Sequence, residues 1–417
     1  MISSGFFYDT LAGCGTDFFT GVPDSLLKSF CAWVTGHTPP ARHITAVNEG
    51  AAVALASGYH LATGKIPLVY MQNSGIGNAV NPLLSLADGD VYQIPMILLV
   101  GWRGEPGVKD EPQHIKQGKI TDALFETMGI PYLILSGDEE EARNQIEECY
   151  ARVKADGAPF ALIVRKDTFA PYPLESGTNT VETNDVEMSR EEAIGEVIRS
   201  SPPDEIFIST TGMASRELYE LRDKYGMGHE RDFLTVGSMG HASSLALSIA
   251  LQIPERPVTC IDGDGAALMH MGGMAAIGER KPANLWHIVL NNGAHDSVGG
   301  QPTIARSIDL SGIARACGYT RVFSVKTLEE LRQTLNWMSK SYSGGVIGKT
   351  RGKIFPIDKV VDKDESTVFT VDKVDGPVFI EVLVRKGNRK DLGRPKSSPR
   401  ENKEAFMRFI AEGENNE

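Results

Sequence analysis

Short apolar runs alternate with helical patterns along most of this chain of 417 residues. In the first half, strands are predicted at 43–47, 68–72 and 96–102, separated by helical patterns at 51–62 and 78–86. Strands this apolar, joined through helices, need crossover connections and form a parallel sheet that is covered on both faces. The alternation therefore predicts an α/β fold built on doubly wound parallel sheets.

The same alternation begins again in the second half of the chain. Helices are predicted at 191–199 and 268–277, and strands at 258–262, 285–290 and 379–384. We expect the last of these strands to close the second sheet. Two α/β units of similar size therefore follow one another.

The boundary between these units is indicated by composition. Residues 171–190 lose all periodicity and gather Pro, Thr, Asn and Glu, which is typical of a linker. We therefore expect one domain at 1–170 and a second at 191–417. Residues at about 341–375 fit neither pattern and are predicted to form a surface insertion in the second domain.

Charge and cysteine content limit the partners of the chain. The 42 Lys and Arg are outnumbered by 54 Asp and Glu, giving a net charge of −12, so a nucleic-acid partner is excluded. No apolar run approaches the roughly 18 residues that span a bilayer, so we expect no membrane partner. The first residues lack a basic segment, and the five cysteines form no Cys-x-x-Cys pair, so we expect free thiols in a cytoplasmic protein.

The most informative motif combines Gly263-Asp264-Gly265 with Asn291-Asn292. Each follows a predicted strand, so in a parallel sheet both lie at the carboxyl edge, where ligands bind. The glycines let the backbone approach a ligand closely, and a helix N-terminus offers N–H groups to phosphate. A carboxylate and an amide oxygen suit Mg²⁺, with either Asn291 or Asn292 as the ligand, of which we favour Asn292. Leu268 stands where a dinucleotide fingerprint needs glycine.

This combination resembles the thiamine diphosphate motif of the 2-oxo acid decarboxylase superfamily. The resemblance implies thiamine diphosphate as the cofactor, with Mg²⁺ held by Asp264, Asn292 and the backbone carbonyl of Ala294. It also implies two cofactor-binding domains of this type. The middle domain of larger relatives is missing, because the linker joins the two domains directly.

The first half resembles the superfamily's glutamate segment around Glu49, which follows the predicted strand 43–47. The resemblance implies that the Glu49 carboxyl is catalytic through a hydrogen bond to the aminopyrimidine ring. Superfamily members bind the cofactor between two subunits, so it also implies self-association, with Glu49 and Asp264 contributed by different copies. Further implied cofactor-binding residues are Gly212, Met213, Ser238, Met239, Gly263, Gly265 and Ala266.

Strings at 20–25, 72–78, 110–114 and 391–395 are similar to a narrower group, the phosphonopyruvate and sulfopyruvate decarboxylases. The implied substrate is a small anionic 2-oxo acid. For 3-phosphonopyruvate the products would be phosphonoacetaldehyde and CO₂, a step toward 2-aminoethylphosphonate, and sulfopyruvate is the alternative. We expect His114 to be catalytic. The substrate-binding candidates are Asp24, Ser25, Ser74, Arg103, Lys109 and His295.

Two other functions fit the residues less well. A ligase resembling acetohydroxyacid synthase would form a carbon–carbon bond, but the middle domain is missing. A regulatory protein that binds thiamine diphosphate without catalysis would not need Glu49.

Overall fold

The computed structural model describes residues 1–174, 186–343 and 374–414. These residues form two compact units. Unit 1 consists of residues 1–174 with 295–303, and unit 2 consists of 186–294, 304–343 and 374–414.

Unit 1 is built on a six-stranded parallel sheet with the strand order β2-β1-β3-β4-β6-β5. Its strands are β1 (Phe19–Gly21), β2 (His43–Thr45), β3 (Leu68–Gln72), β4 (Ile97–Gly101), β5 (Tyr132–Ile134) and β6 (Phe160–Val164). Its helices are α1 (Ser4–Cys14), α2 (Lys28–His37), α3 (Glu49–Thr63), α4 (Ile76–Pro82), α5 (Pro112–Thr127) and α6 (Glu139–Asp156).

The central strands of unit 1 are apolar on both sides. In β4, every residue from Ile97 to Gly101 is buried. Ile97 and Leu99 belong to one core cluster, and Leu98 and Val100 belong to another. The two clusters lie on opposite faces because side chains alternate along a strand. Helices therefore cover both faces of the sheet, as predicted.

Unit 2 has a second parallel sheet, in the order β13-β14-β10-β9-β7-β8. Its strands are β7 (Ile206–Ser209), β8 (Asp232–Leu234), β9 (Val258–Gly263), β10 (Leu285–Asn291), β13 (Arg321–Val325) and β14 (Val378–Leu383). Its helices are α7 (Arg190–Ser200), α8 (Met213–Lys224), α9 (Ala242–Gln252), α10 (Asp264–Met269), α11 (Gly272–Arg280), α12 (Leu310–Cys317), α13 (Leu328–Ser343) and α14 (Pro399–Glu414). Apart from this sheet, β11 (Ala294–His295) pairs with β12 (Gln301–Pro302) in a separate two-stranded sheet, of which residues 295–303 belong to unit 1. The predicted α/β fold is confirmed.

Two predictions for unit 2 are wrong in detail. The strand predicted at 379–384 exists as β14, but it does not close the sheet, because β13 lies outside it. The helix predicted at 268–277 is two helices, since α10 ends at Met269 and α11 begins at Gly272. His270 was expected in mid-helix but has non-helical dihedral angles, φ −130° and ψ 50°. The adjoining Gly272 and Gly273 weaken a continuous helix because glycine has a low helix propensity.

Several other expectations concern the linker, the insertion and the general class of the chain. Residues 175–185 of the predicted linker and 344–373 of the predicted insertion lie outside the described residues. Residues 341–343 form the end of α13.

All five cysteines are free thiols. Within the described ranges, no helix combines the length and apolar character needed to cross a membrane.

Candidate active site

Most candidate residues of unit 1 follow the carboxyl ends of four neighbouring strands. The sheet order β2-β1-β3-β4 brings these ends to one edge, which is where parallel α/β sheets bind ligands. The residues that follow these strands are Glu49 after β2, Asp24 and Ser25 after β1, Ser74 after β3, and Arg103 after β4.

Glu49 is the first residue of α3. Asn48 caps this helix, because its side chain accepts a hydrogen bond of 2.8 Å from the Ala51 N–H, and an acid in the first turn is favoured by the helix dipole. The Glu49 side chain is buried, with 5% exposed, and Asn78 Nδ2 donates to its Oε2 at 2.7 Å. Burial raises the pKa of Glu49, and the hydrogen bond from Asn78 offsets only part of this rise. The carboxyl therefore keeps its proton to a higher pH than an exposed glutamate does.

The backbone at Gly75 leaves the space that Glu49 occupies. A Cβ atom on Gly75 would lie 2.3 Å from Glu49 Oε1, which is far inside van der Waals contact. A Cβ atom on Gly77, two residues later, would meet nothing within 4 Å. The segment at 72–78 therefore supplies both a hydrogen bond and a close backbone surface to the catalytic candidate.

A second cluster forms around the carboxylate of Asp110. Arg103 Nε donates to Asp110 Oδ2 at 2.8 Å, and His114 Nδ1 lies 2.9 Å from Asp110 Oδ1. Arg103 Nη1 also donates to Ser25 Oγ at 2.6 Å. Burial alone would raise the pKa of Asp110, but hydrogen bonds from Arg103, His114 and backbone N–H groups bring it well below its usual range. Three predicted residues thus meet around a charged acid to which the sequence assigned no role.

The remaining candidates of unit 1 lie in different environments. Asp24 is completely buried, and its two carboxylate oxygens accept from the Leu26 N–H at 2.9 Å and from Gln72 Nε2 at 2.7 Å. Ser74 is exposed and donates to Gln72 Oε1 at 2.6 Å. Lys109 is exposed in the loop before α5. Asp24 therefore fixes the local backbone, and substrate contacts by Asp24, Ser74 and Lys109 stay predictions.

In unit 2, the register of β9 and β10 places Gly263-Asp264-Gly265 and Asn291-Asn292 at the same edge of the sheet. Gly263 at the end of β9 pairs with Leu290 on β10. Asp264 follows directly as the first residue of α10, and Asn292 follows the end of β10. Both side chains are buried, with 3% and 4% exposed. Their oxygen atoms suit Mg²⁺, which takes oxygen ligands.

The structure separates the two neighbouring asparagines. Asn291 Nδ2 donates to Glu381 Oε1 at 2.7 Å, and Asn291 Oδ1 accepts from the Gly293 N–H at 3.1 Å. Asn292 Oδ1 accepts from the Ala294 N–H at 3.0 Å. Both polar groups of the Asn291 side chain thus form hydrogen bonds, Nδ2 with Glu381 on β14 and Oδ1 with the backbone of the following loop. These contacts favour Asn292 as the metal ligand.

Arg306 and Glu381 form hydrogen bonds at the end of β10, and neither was predicted from the sequence. Arg306 Nη2 donates to the backbone carbonyl oxygens of Asn291 at 2.7 Å and Val384 at 3.0 Å. Burial lowers the pKa of Arg306, and the nearby carboxylates of Asp264 and Glu381 act in the opposite direction. Arg306 lies 15 residues and Glu381 lies 90 residues after Asn291. No local pattern could have identified them.

Two further loops of unit 2 contain cofactor-binding candidates with positive φ. Gly212, which precedes the first residue of α8, Met213, has φ 103° and ψ −139°. In the loop before Met239, Gly237 and Ser238 both have positive φ, at 69° and 48°. The Gly237 N–H donates to Thr211 Oγ1 at 3.0 Å, which links the two loops. Binding of a diphosphate by these residues stays a prediction.

The last candidate, His295, is half-buried just beyond the metal motif. Burial lowers its pKa to about 4, against the opposing charge of Asp296. The imidazole is therefore neutral near pH 7 and would contact a substrate as a hydrogen-bond partner rather than as a cation.

Comparison with known proteins agrees with this geometry. Residues 4–124 match the N-terminal TPP binding domain of thiamine pyrophosphate enzymes, and residues 210–346 match the C-terminal TPP binding domain. The chain belongs to the thiamine pyrophosphate enzyme family. This membership confirms the fold class, the cofactor and the superfamily identified from the sequence.

Three relatives are similar over most of the chain. A phosphonopyruvate decarboxylase of Streptomyces viridochromogenes is 32% identical, covering 98% of this chain and 95% of the relative. A phosphonopyruvate decarboxylase of Streptomyces hygroscopicus is also 32% identical, covering 99% and 95%. A sulfopyruvate decarboxylase of Methanosarcina acetivorans is 32% identical over 76% of this chain and 82% of that protein.

Proposed function

We propose that the chain is a thiamine diphosphate-dependent decarboxylase that converts 3-phosphonopyruvate to phosphonoacetaldehyde and CO₂ in phosphonate biosynthesis. The observation that carries this proposal is the similarity to two phosphonopyruvate decarboxylases over 98% and 99% of the chain. Sulfopyruvate is the second candidate substrate, because a sulfopyruvate decarboxylase is equally identical over 76% of the chain.

The cofactor would be held by residues of both units. When bound, thiamine diphosphate supplies the electron sink that accepts the electrons of the breaking bond as CO₂ leaves. Asp264, Asn292 and the Ala294 carbonyl would bind Mg²⁺, and backbone N–H groups near Gly212 and Ser238 would bind the diphosphate. The buried carboxyl of Glu49, whose pKa is raised by burial, would form a hydrogen bond with the aminopyrimidine ring.

The Asp110 cluster supplies the groups that an anionic 2-oxo acid requires. The Arg103 guanidinium offers a fixed positive charge and Ser25 offers a hydroxyl. Decarboxylation to an aldehyde replaces a carboxylate by a hydrogen atom, so one proton must reach the substrate carbon. Because the Asp110 carboxylate accepts from His114 Nδ1, the proton lies on Nδ1, and Nε2 can exchange a proton with the reacting group.

We also propose that the active protein is a homo-oligomer in which each site uses Glu49 of one copy and Asp264 of another. The resemblance to the superfamily supports this arrangement. In this arrangement each site needs both residues, and the two residues come from different copies of the chain.

The decisive experiment measures CO₂ release from phosphonopyruvate, sulfopyruvate and pyruvate, each with and without thiamine diphosphate and Mg²⁺. We expect the highest kcat/KM for phosphonopyruvate, and no release when either thiamine diphosphate or Mg²⁺ is omitted. Equal values for phosphonopyruvate and sulfopyruvate would overturn the choice of substrate. Absence of CO₂ release from all three acids would overturn the proposed reaction.

A further inference from the structure

Unit 2 contains a cluster of three chemically reactive side chains to which the proposed reaction assigns no role. Cys260 and Asp262 lie two residues apart on β9 and share one face of the sheet. His287 on β10 pairs directly with Cys260, so its side chain lies on the same face. All three residues are completely buried, and one ligand atom from each lies within 4.8 Å of the others.

Two polar atoms of this cluster lack a hydrogen-bond partner. Asp262 Oδ2 and His287 Nε2 are both buried and unpaired, and they lie 3.6 Å apart. Buried polar atoms are nearly always paired in folded proteins, so two orphan atoms that face each other indicate a missing group. The cluster therefore needs something that binds both an oxygen and a nitrogen lone pair.

The surroundings of His287 leave Nε2 available for such a group. His287 Nδ1 lies 2.9 Å from the Tyr319 hydroxyl. If Nδ1 donates to this hydroxyl, the unprotonated Nε2 points at the cluster. A histidine that binds a metal through one nitrogen commonly donates from the other in this way, which fixes the ring.

We propose that Cys260, Asp262 and His287 form a buried zinc site that joins β9 to β10. The combination of sulfur, nitrogen and oxygen ligands suits Zn²⁺, whereas Mg²⁺ takes oxygen ligands. Zinc ligands at tetrahedral angles lie roughly 3.5 Å apart, and the measured separation of Asp262 Oδ2 and His287 Nε2 is 3.6 Å. A water molecule would be the fourth ligand, as in other sites with three protein ligands.

The charges of the bound site balance. Zn²⁺ together with one thiolate, one carboxylate and a neutral imidazole has no net charge, which burial requires. Burial, with a further contribution from Asp262, raises the pKa of the Cys260 thiol well above its ordinary value. The metal-free thiol therefore keeps its proton, and zinc binding releases one proton to solvent. The metal would connect β9, which directly precedes Asp264, to β10, which ends at Asn291.

The first test is the zinc content of the full-length chain, purified from zinc-supplemented cells and dialysed against a weak chelator. We expect about one zinc per chain, and its loss in Cys260→Ser. Cys317→Ser is the matched control and keeps the zinc, because Cys317 lies outside the cluster. Asp264→Asn should also keep the zinc while it loses Mg²⁺-dependent cofactor binding, so failure of the zinc site and failure of the proposed function give different results.

The second test does not depend on a variant that must fold. The wild-type chain is unfolded and refolded with Co²⁺, and its absorption spectrum is recorded. We expect a thiolate-to-cobalt charge-transfer band, which requires a cysteine ligand, and the same band in Cys317→Ser. A refolded wild-type chain that shows no such band, and a purified chain without zinc, would overturn the site. Asp262 and His287 would then be a buried pair of polar side chains that binds no metal.

Discussion

At the scale of single residues, the burial of Glu49 gives the proposed chemistry its most direct test. Glu49→Gln keeps the size of the side chain but cannot transfer a proton. We expect kcat to fall by roughly 10²–10⁴-fold, the usual contribution of general acid–base catalysis, with little change in the affinity for thiamine diphosphate. Steady-state kinetics and a cofactor titration measure the two effects. Glu140→Gln, on the exposed face of α6, is the control and should match the wild type.

Gly75 and Gly77 form a matched pair for testing how closely Glu49 is held. A methyl group at Gly75 would collide with the Glu49 carboxyl, whereas one at Gly77 would extend into open space. We expect Gly75→Ala to lower kcat/KM by at least about tenfold through displacement of Glu49, and Gly77→Ala to change it little. If the two variants have the same kcat/KM, the Glu49 carboxyl is not positioned by the Gly75 backbone.

Asp110 is a positioning residue in the proposed reaction, because it binds Arg103 and His114 rather than the substrate. Asp110→Asn keeps the shape but removes the charge that aligns both groups. We expect an increase in KM for phosphonopyruvate together with roughly a tenfold or greater loss in kcat. Asp122→Asn, on helix α5 that follows Asp110, provides the control. A variant that lost only stability would show a lower Tm with unchanged kinetic constants at low temperature.

At the scale of helices and strands, prediction succeeded for the longer buried strands and failed for some short or edge strands. The apolar run 68–72 matches β3 residue for residue, because this strand is covered on both faces. The edge strand β13 was missed because only Val325 is buried and the exposed Arg321 and Ser324 interrupt its apolar residues. The three-residue strand β8 was missed because its first residue, Asp232, is charged and is buried only through its ion pair with Arg222.

Glu205, which directly precedes β7, predicts a pH-dependent change in stability. It is completely buried, and Thr259 on β9 donates to it. Burial raises its pKa from 4.5 to about 8, although Thr259 and Arg231 act in the opposite direction. Folding therefore favours the protonated form. The resulting stabilisation is complete below pH 4.5 and is lost as the pH rises to about 8.

The variant Glu205→Gln behaves like a permanently protonated residue and should not lose this stabilisation. We expect its free energy of unfolding, relative to the wild type, to increase with pH by up to about 1.4 kcal/mol for each pH unit in this range. Urea unfolding at about pH 5 and about pH 8.5 measures the difference. Glu279→Gln, on the exposed surface of α11, should show no such trend. A difference that is constant with pH would mean that Glu205 is ionised in the folded protein.

At the scale of the whole molecule, the predictable part of the site is the part that is local in sequence. Glu49 and Asp264 each follow a strand directly, so strand pattern and sheet geometry were enough to bring them to a carboxyl edge. Side-chain contacts of the candidate residues in unit 1, in contrast, join positions that are distant in sequence. Asn78 lies 29 residues after Glu49, and Ser25 meets Arg103 across 78 residues. A single sequence contains no periodic signal for such pairs, because they depend on the order of strands in the sheet.

Self-association is tested by mixing two inactive chains. Glu49→Ala and Asp264→Ala each remove one half of every site in a homo-oligomer. If each site combines two copies, random mixing in equal amounts leaves about a quarter of the sites intact, and activity should return to about that fraction of the wild type. The mixture must be co-refolded or co-expressed so that subunits exchange. Activity no higher than that of the separate variants would show that one copy supplies both residues.

The position of β14 between β10 and β13 has a consequence for how the protein is made. Asn291 is synthesised ninety residues before Glu381. The hydrogen bond between these two side chains therefore cannot form until Glu381 has been translated. The same delay applies to β13, which joins the sheet through β14. A premature stop codon between Val325 and Val378 would thus remove β14 and also leave β13 without the strand that joins it to the sheet.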